Sequence, residues 1–229
     1  MTIHELQNLN RATIAYISSI IKPGMPLGDI RYCCEQYMLD HGADSFWYWD
    51  VGAFVFSGKE TAISVSGRSY TTSSSIIETD DIITIDLSPQ HQNIWGDFAR
   101  TIILENGAIV KSINEIKIKE WHDGLLMQEY LHQEMIRFVT LETTFEELYF
   151  HINSIILDNG YINLDFAGNL GHSIETDKAN RIYTEKGNHT KLSAVTAFTF
   201  EPHIAIPHSP YGFKKENIYR FQNDRLVEE

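Results

Sequence analysis

Cysteine, positive charge and long apolar runs are all scarce in this sequence. Its only two cysteines, Cys33 and Cys34, are adjacent. Neighbouring residues close a disulfide on each other only awkwardly, so no framework staples a secreted fold, and both read as reduced core thiols. Lys and Arg number 18 against 31 Asp and Glu, a formal net charge of −13. That balance removes the basic face that a nucleic-acid backbone demands and suits small or peptidic partners, or cations. No apolar run approaches the roughly 20 residues that span a bilayer. The N-terminal stretch offers no apolar leader, being interrupted by Glu5, Asn8, Asn10 and Arg11, so the expectation is a cytoplasmic protein with no membrane partner. Linkers rich in Pro, Gly or Ser are missing too. The 43% hydrophobic and 21% charged content belongs to a globular fold of one large or two small domains.

What is present alternates between two kinds of segment. Residues 3–21 space Leu6, Leu9, Ala12, Tyr16 and Ile20 as an amphipathic helix ending before Lys22-Pro23-Gly24. A second helix follows Pro26, with Ile30, Cys33, Cys34, Tyr37 and Met38 as its apolar stripe and Gly42 as its stop. From Asp44 to about Leu104 the chain turns to short runs rich in β-branched and aromatic residues: 53–56, 61–65, 82–87 and 98–104. Residues 113–139 read as helix again. The stretch 141–161 then repeats 23–43 at an offset of 118, which carries Leu27 onto Phe145, Asp29 onto Glu147, Asp40 onto Asp158 and Gly42 onto Gly160. Thr144 and Glu147 add a capping box, and a second β-rich zone covers 195–206 and 213–221. Both halves, about 1–112 and 113–229, thus read helix, helix, strands, which favours one duplicated α+β domain.

Each half also carries a pair of carboxylates on a hairpin. If the first closes around a turn at His91-Gln92, Asp86 lies directly opposite Asp97. Opposed residues have Cβ atoms roughly 4.5–5.5 Å apart, so the two would share a cation or repel each other. In the second, a turn at His208-Ser209 brings Glu201 opposite Glu216, with Pro202 demanding a bulge or an edge. Between the hairpins, Gly171-His172 can project an imidazole into a pocket. Taken singly, each carboxylate reads as a solvated strand residue. Together, the order Asp-x10-Asp, His, Glu, Glu gives oxygen-rich ligation with one imidazole, suited to Mn²⁺, Fe²⁺, Co²⁺ or Zn²⁺. Two such ions would supply a hydroxide near neutral pH and polarise an amide carbonyl.

At these residues the sequence resembles the pita-bread metallopeptidase family: the methionine aminopeptidases, aminopeptidase P, prolidase and the metal-free creatinases. The matching positions span nearly the whole chain, through Lys22-Pro23-Gly24-Met25, Gly42-Ala43, Ser57-Gly58 and the five ligand positions. Gly96-Asp97 followed by Arg100-Thr101 looks more like the aminopeptidase P and prolidase branch, without the N-terminal domain those enzymes usually carry. The resemblance implies a pita-bread fold of two pseudo-symmetric α+β halves around a central antiparallel sheet. It implies two divalent ions (Mn, Co, Fe or Zn): one chelated by Asp86, both bridged by Asp97 and Glu216, the other held by His172 and Glu201, with Glu201 also the proton shuttle. The function implied is a dinuclear exopeptidase of the Xaa-Pro type, acting on peptides through a metal-bridging hydroxide; a homodimer is left open.

Two positions depart from that family. The histidine usually found a few residues after Ser-Gly falls near Val65, and the one seven residues after the ligand histidine falls on Ala179. His203, two residues from Glu201, is the candidate catalytic substitute, ahead of His208 and His189. The aromatic run Phe46-Trp47-Tyr48-Trp49 is either core or the wall of a substrate pocket. The missing histidines motivate an alternative: a weak or inactive pita-bread module that binds a peptide or protein partner. A creatinase-like amidinohydrolase fits poorly, because that branch relies on histidines and lacks the metal ligands.

Overall fold

The computed structural model describes all 229 residues. Two helices open each half: α1 (Ile3–Ile20) and α2 (Leu27–Asp40) in the first, α3 (Lys119–Phe138) and α4 (Phe145–Asp158) in the second. The offset of 118 carries both ends of α2 onto the ends of α4. The Thr144–Glu147 capping box forms with both of its hydrogen bonds, and an equivalent box at Thr2–Glu5 starts α1.

The strands sort into four antiparallel sheets. In the first half, β2 (Ala53–Ser57), β3 (Asp81–Leu87), β6 (Phe98–Glu105) and β7 (Ala108–Ile109) form one sheet. Beside it, β1 (Ser45–Phe46), β4 (Pro89–His91) and β5 (Ile94–Trp95) form another. In the second half, β8 (Ile162–Asn163), β11 (His203–Ala205) and β12 (Gly212–Lys214) pair, as do β9 (Ser173–Ile174), β10 (Ala197–Phe200), β13 (Asn217–Gln222) and β14 (Arg225–Glu228). One apolar cluster packs α1 and α2 on the first sheet, and a second packs α3 and α4 on β10 to β13. The halves meet where Glu216 N donates to the Ala99 carbonyl (3.0 Å) and Thr101 Oγ1 donates to the Lys214 carbonyl (3.0 Å).

Three expectations change. The buried face of α1 runs through Leu6, Leu9 and Ile17 together with Gln7, Asn10 and Thr13, while Tyr16 is exposed. Polar residues take the inner face because they hydrogen-bond there, a pattern that apolar periodicity does not register. Residues 61–65 are not a strand: Gly58–Ala62 form a 3₁₀ turn, tied by the Thr61 hydroxyl donating to the Gly58 carbonyl (2.6 Å) and by Gly212 N donating to Thr61 Oγ1 (3.0 Å). Helix α3 begins at Lys119 rather than near 113, where a short 3₁₀ turn stands instead. As expected, Cys34 is buried and both thiols are free, although Cys33 is only half-buried.

Candidate metal centre

The first hairpin brings its carboxylates together in a different register from the one its sequence suggests. Asp86 pairs with Ala99, and the turn falls at Gln92-Asn93, one residue later than expected. Both turn residues adopt positive φ (49° and 65°), the geometry of a tight two-residue hairpin turn, which Asn at the second position tolerates better than most residues. Asp97 therefore lies just before the start of β6, diagonal to Asp86 but still on its face, because a slip of two residues preserves the side. Its backbone is clamped from α1: Gln7 Nε2 donates to the Asp97 carbonyl (2.9 Å), Gln7 Oε1 accepts from Asp97 N (3.3 Å), and Asn10 Nδ2 donates to Gln7 Oε1 (2.8 Å).

The second hairpin keeps the expected register on both sides of a break. His203 pairs with Lys214 in one ladder and Phe200 with Asn217 in the next. Between them Glu201-Pro202 and Lys215-Glu216 leave the strands, as Pro202 requires, so Glu201 and Glu216 face each other across the gap. Arg100 supports this point. Its Nη1 donates to the Glu216 carbonyl (2.7 Å) and its Nη2 to Asn217 Oδ1 (2.7 Å).

His172 is aimed by its neighbours. Its N–H donates to Thr199 Oγ1 (3.0 Å), and its Nδ1–H donates to the Ser173 carbonyl (3.0 Å). That leaves Nε2 directed at Asp97 Oδ2 (3.4 Å) and Glu201 Oε1 (3.9 Å), the tautomer and orientation of a metal-binding imidazole. Gly171 sets this up at φ +135°, with its hydrogen where a Cβ would stand 2.3 Å from the Thr199 carbonyl oxygen. Gly171→Ala is expected to destabilise the fold by about 2–4 kcal/mol. Urea unfolding checks this; a change below 0.5 kcal/mol would contradict the geometry.

All five predicted ligands therefore converge. Carboxylate oxygens of Asp86, Asp97 and Glu216 lie within 4.8 Å of one another, with His172 and Glu201 beside Asp97. The electrostatics call for a cation. Both oxygens of Glu216 are buried without a hydrogen-bond partner, a costly state for a charged group. Burial, then the neighbouring carboxylates, pushes Glu216 well above the usual range, and burial pushes Asp97 up to about 7. Orphaned oxygens, a hard donor set and one oriented imidazole fit divalent cations.

One cation is already in place, and the sequence pattern did not reveal it. Lys214 Nζ lies 2.6 Å from Asp86 Oδ2 and 3.0 Å from Glu201 Oε2. Against the upward push of burial, Lys214 and His172 hold Glu201 below the usual carboxylate range. Against the downward push of burial, Asp86 and Glu201 hold Lys214 well above its ordinary value.

The carboxylates give the metal-stripped protein a distinct pH dependence. Folded Asp97 and Glu216 keep protons that the unfolded chain releases near pH 4, so their contribution to stability is lost as pH rises through the folded values. Burial also holds His203 down to about 4 and His132 well below its usual value, but these groups affect stability only below about pH 7. Between pH 7 and 9 the unfolding free energy of chelator-treated protein, and with it the urea midpoint, should fall, by at most about 1.4 kcal/mol per pH unit for each proton the folded chain still holds, and added divalent metal should remove the fall. A midpoint that rises over this range would contradict the reading.

The remaining histidines separate by position. His203 is buried on the cavity wall, with Nε2–H donating to the Thr61 carbonyl (2.7 Å). His189 and His208 are exposed, the former paired with Glu146 and the latter at the hairpin tip with φ +67°, so neither replaces the missing pair. Val65 lines the cavity, whereas Ala179 sits exposed on a 3₁₀ turn. Of the aromatic run, Trp47 and Tyr48 line the cavity, Phe46 packs on the first-half core and Trp49 is exposed.

The model of metallopeptidase family M24 matches residues 2–229. The chain belongs to that family. Its fold superposes on an X-Pro aminopeptidase from Thermotoga maritima MSB8 (TM-score 0.79, 17% identity, 99% of this chain and 59% of that one). It also superposes on a prolidase from Pyrococcus horikoshii OT3 (0.78, 18%, 99% and 60%) and an Xaa-Pro dipeptidase from Bacillus anthracis (0.78, 21%, 99% and 58%). This M24 chain thus spans about six-tenths of the length of those proteins and has the pita-bread fold that its motifs led us to expect. No curated protein matches it in sequence.

Proposed function

We propose that residues 1–229 act as one catalytic unit, its halves closing on a dinuclear site that removes the N-terminal residue of a peptide, of the Xaa-Pro type. The observation that carries this reading is the convergence of Asp86, Asp97, His172, Glu201 and Glu216 on one buried point, with the Glu216 oxygens unpartnered. Asp86, Asp97 and Glu216 would hold one ion, and His172 and Glu201 the second alongside Asp97 and Glu216. The ions, drawn from Mn, Co, Fe or Zn, would supply Lewis acidity and an activated water.

The chain's own groups account for the proton movements. Glu201 is held ionised by Lys214 on Oε2, and its Oε1, oriented by the Thr199 hydroxyl that donates to it (3.4 Å), would take a proton from the attacking water and return it to the departing amide nitrogen. His203 is neutral with its Nε2 proton committed to Thr61, so its part is to fix the cavity wall beside the substrate. The cavity, about 300 Å³ and walled by Trp47, Tyr48, Phe54 and Phe56, suits a short peptide better than a folded protein.

The absence of histidine at Val65 and Ala179 supports the second reading, a module that binds peptide and turns it over weakly or not at all. An N-terminal peptide library containing Xaa-Pro sequences, presented to metal-loaded protein, separates the two. Release of single N-terminal amino acids from Xaa-Pro members supports the exopeptidase; saturable binding with no cleavage of any member supports the module.

A further inference from the structure

Four carboxylates line the cavity, those of Asp86, Asp97, Glu201 and Asp165. The first three are candidate metal ligands. Asp165 stands outside that set and enters no ion pair, although Lys214 shares the cavity. Its loop is tightly built: Asn163 Oδ1 accepts from Asp165 N (2.9 Å), Asn163 Nδ2 donates to the Gly168 carbonyl (2.9 Å), and positive φ at Ala167 and Gly168 (52° and 72°) turns the chain between them. Asp165 Oδ1 caps that turn by accepting from Phe166 N (2.7 Å), and it takes the Ser64 hydroxyl of the first half as well (3.2 Å). Capping explains one oxygen. The other, Oδ2, has no hydrogen-bond partner in the protein and opens on the cavity.

Its place is fixed relative to the metal centre. Asn163 pairs with Ile204 and Leu164 N donates to the His203 carbonyl (2.8 Å), so the same register sets Asp165 level with Pro202, next to the proposed proton shuttle Glu201. Burial, then the Glu201 charge, raises the Asp165 carboxyl above its ordinary range, against the opposing pull of Lys214. A cation at Oδ2 would offset both effects. The surroundings say what kind of cation. Ile63, beside Ser64, and Phe166 line the same cavity and are 49% and 64% exposed, which places this end of it towards the rim. A peptide's α-ammonium is two bonds from the scissile carbonyl carbon and stays at the metal centre. Two half-open apolar side chains leading to an unpaired carboxylate match instead a long alkyl stem that ends in a charge.

We propose that Asp165, flanked by Ile63 and Phe166, forms a subsite for a lysine or arginine side chain of the peptide substrate. The proposal rests on the peptidase reading and adds a preference within it. The net charge of −13 also favours the approach of basic peptides over acidic ones.

The test uses two pairs of amide-capped peptides that differ only by a side-chain ammonium: Lys-Pro-amide against norleucine-Pro-amide, and Ala-Pro-Lys-amide against Ala-Pro-norleucine-amide. In metal-loaded wild type, kcat/KM should favour lysine over norleucine at least about tenfold in one pair, which identifies the side of the cleaved bond that the subsite serves. Asp165→Asn keeps an oxygen acceptor for Ser64 and Phe166 N and should bring that ratio to within about twofold of one, mainly through KM. Phe166→Ala should lower kcat/KM for both members of the pair alike, because it removes only the contact with the stem. The fluorescence of Trp47, a cavity residue, on titrating the same peptides into chelator-treated protein reads binding without turnover. Asp165-dependent binding of the lysine member there, with no hydrolysis of any peptide by metal-loaded protein, sinks the peptidase reading while the subsite stands. A wild type with no preference in either pair, or a preference that survives Asp165→Asn, overturns the subsite. Survival with an equal loss for both members puts the α-ammonium at this carboxylate in place of a side chain.

Discussion

Glu216→Gln is expected to change folding and metal binding in opposite directions. In chelator-treated protein at pH 8, the folded chain must either bury an unpartnered Glu216 charge beside Asp97 and Asp86 or hold there a proton that the unfolded chain releases, and the substitution removes that cost at nearly constant volume. Replacing it by an isostere that is neutral in both the folded and the unfolded chain should stabilise the metal-free fold by about 2 kcal/mol. The same change deletes an anionic ligand shared by both proposed ion positions, and divalent affinity should fall at least about 100-fold. Urea unfolding with chelator and calorimetric metal titration read the two effects separately. A variant destabilised without metal would mean that Glu216 has a partner the geometry does not show. A variant that binds metal as tightly as wild type would remove Glu216 from the centre.

Asp97→Ala has the largest expected effect on catalysis. Asp97 adjoins Asp86, Glu216 and His172 at once, and its backbone is held rigidly by Gln7. Hydrolysis of Xaa-Pro peptides should fall at least about a thousandfold, equivalent to roughly 4 kcal/mol of transition-state stabilisation, and bound metal per chain should fall with it. Removing a carboxyl that burial has pushed up to about 7 should not weaken the metal-free fold. A lower urea midpoint in chelator would therefore point to a structural role. Residual activity within tenfold of wild type would take Asp97 out of the reaction.

Legibility in the sequence varied with the range of the interaction. The ends of α2 and α4 followed from the 118-residue offset because local capping and apolar spacing decide helix limits. The second hairpin, where Pro202 demands a bulge or an edge, has the expected register, whereas the first is displaced. Both outcomes follow from backbone preference: Pro202 breaks pairing where a break leaves two glutamates facing each other, and Asn93 draws the first turn one residue onward. The five candidate ligands were recognisable because their residue types carry the chemistry. Lys214 and Gln7 were not, because an ordinary Lys or Gln acquires its role only through contacts between segments distant in the chain. The polar inner face of α1 shows the limit most directly: apolar periodicity finds Leu6, Leu9 and Ile17, yet Gln7 and Asn10 are the residues that position the site.

The central claim is that five side chains from the two halves of the chain form one dinuclear centre. Metal content per chain at saturation, determined by elemental analysis after equilibrium dialysis against Mn²⁺, tests it most directly. The proposed dinuclear centre requires two ions per chain in wild type. Saturation at one ion or none would contradict it.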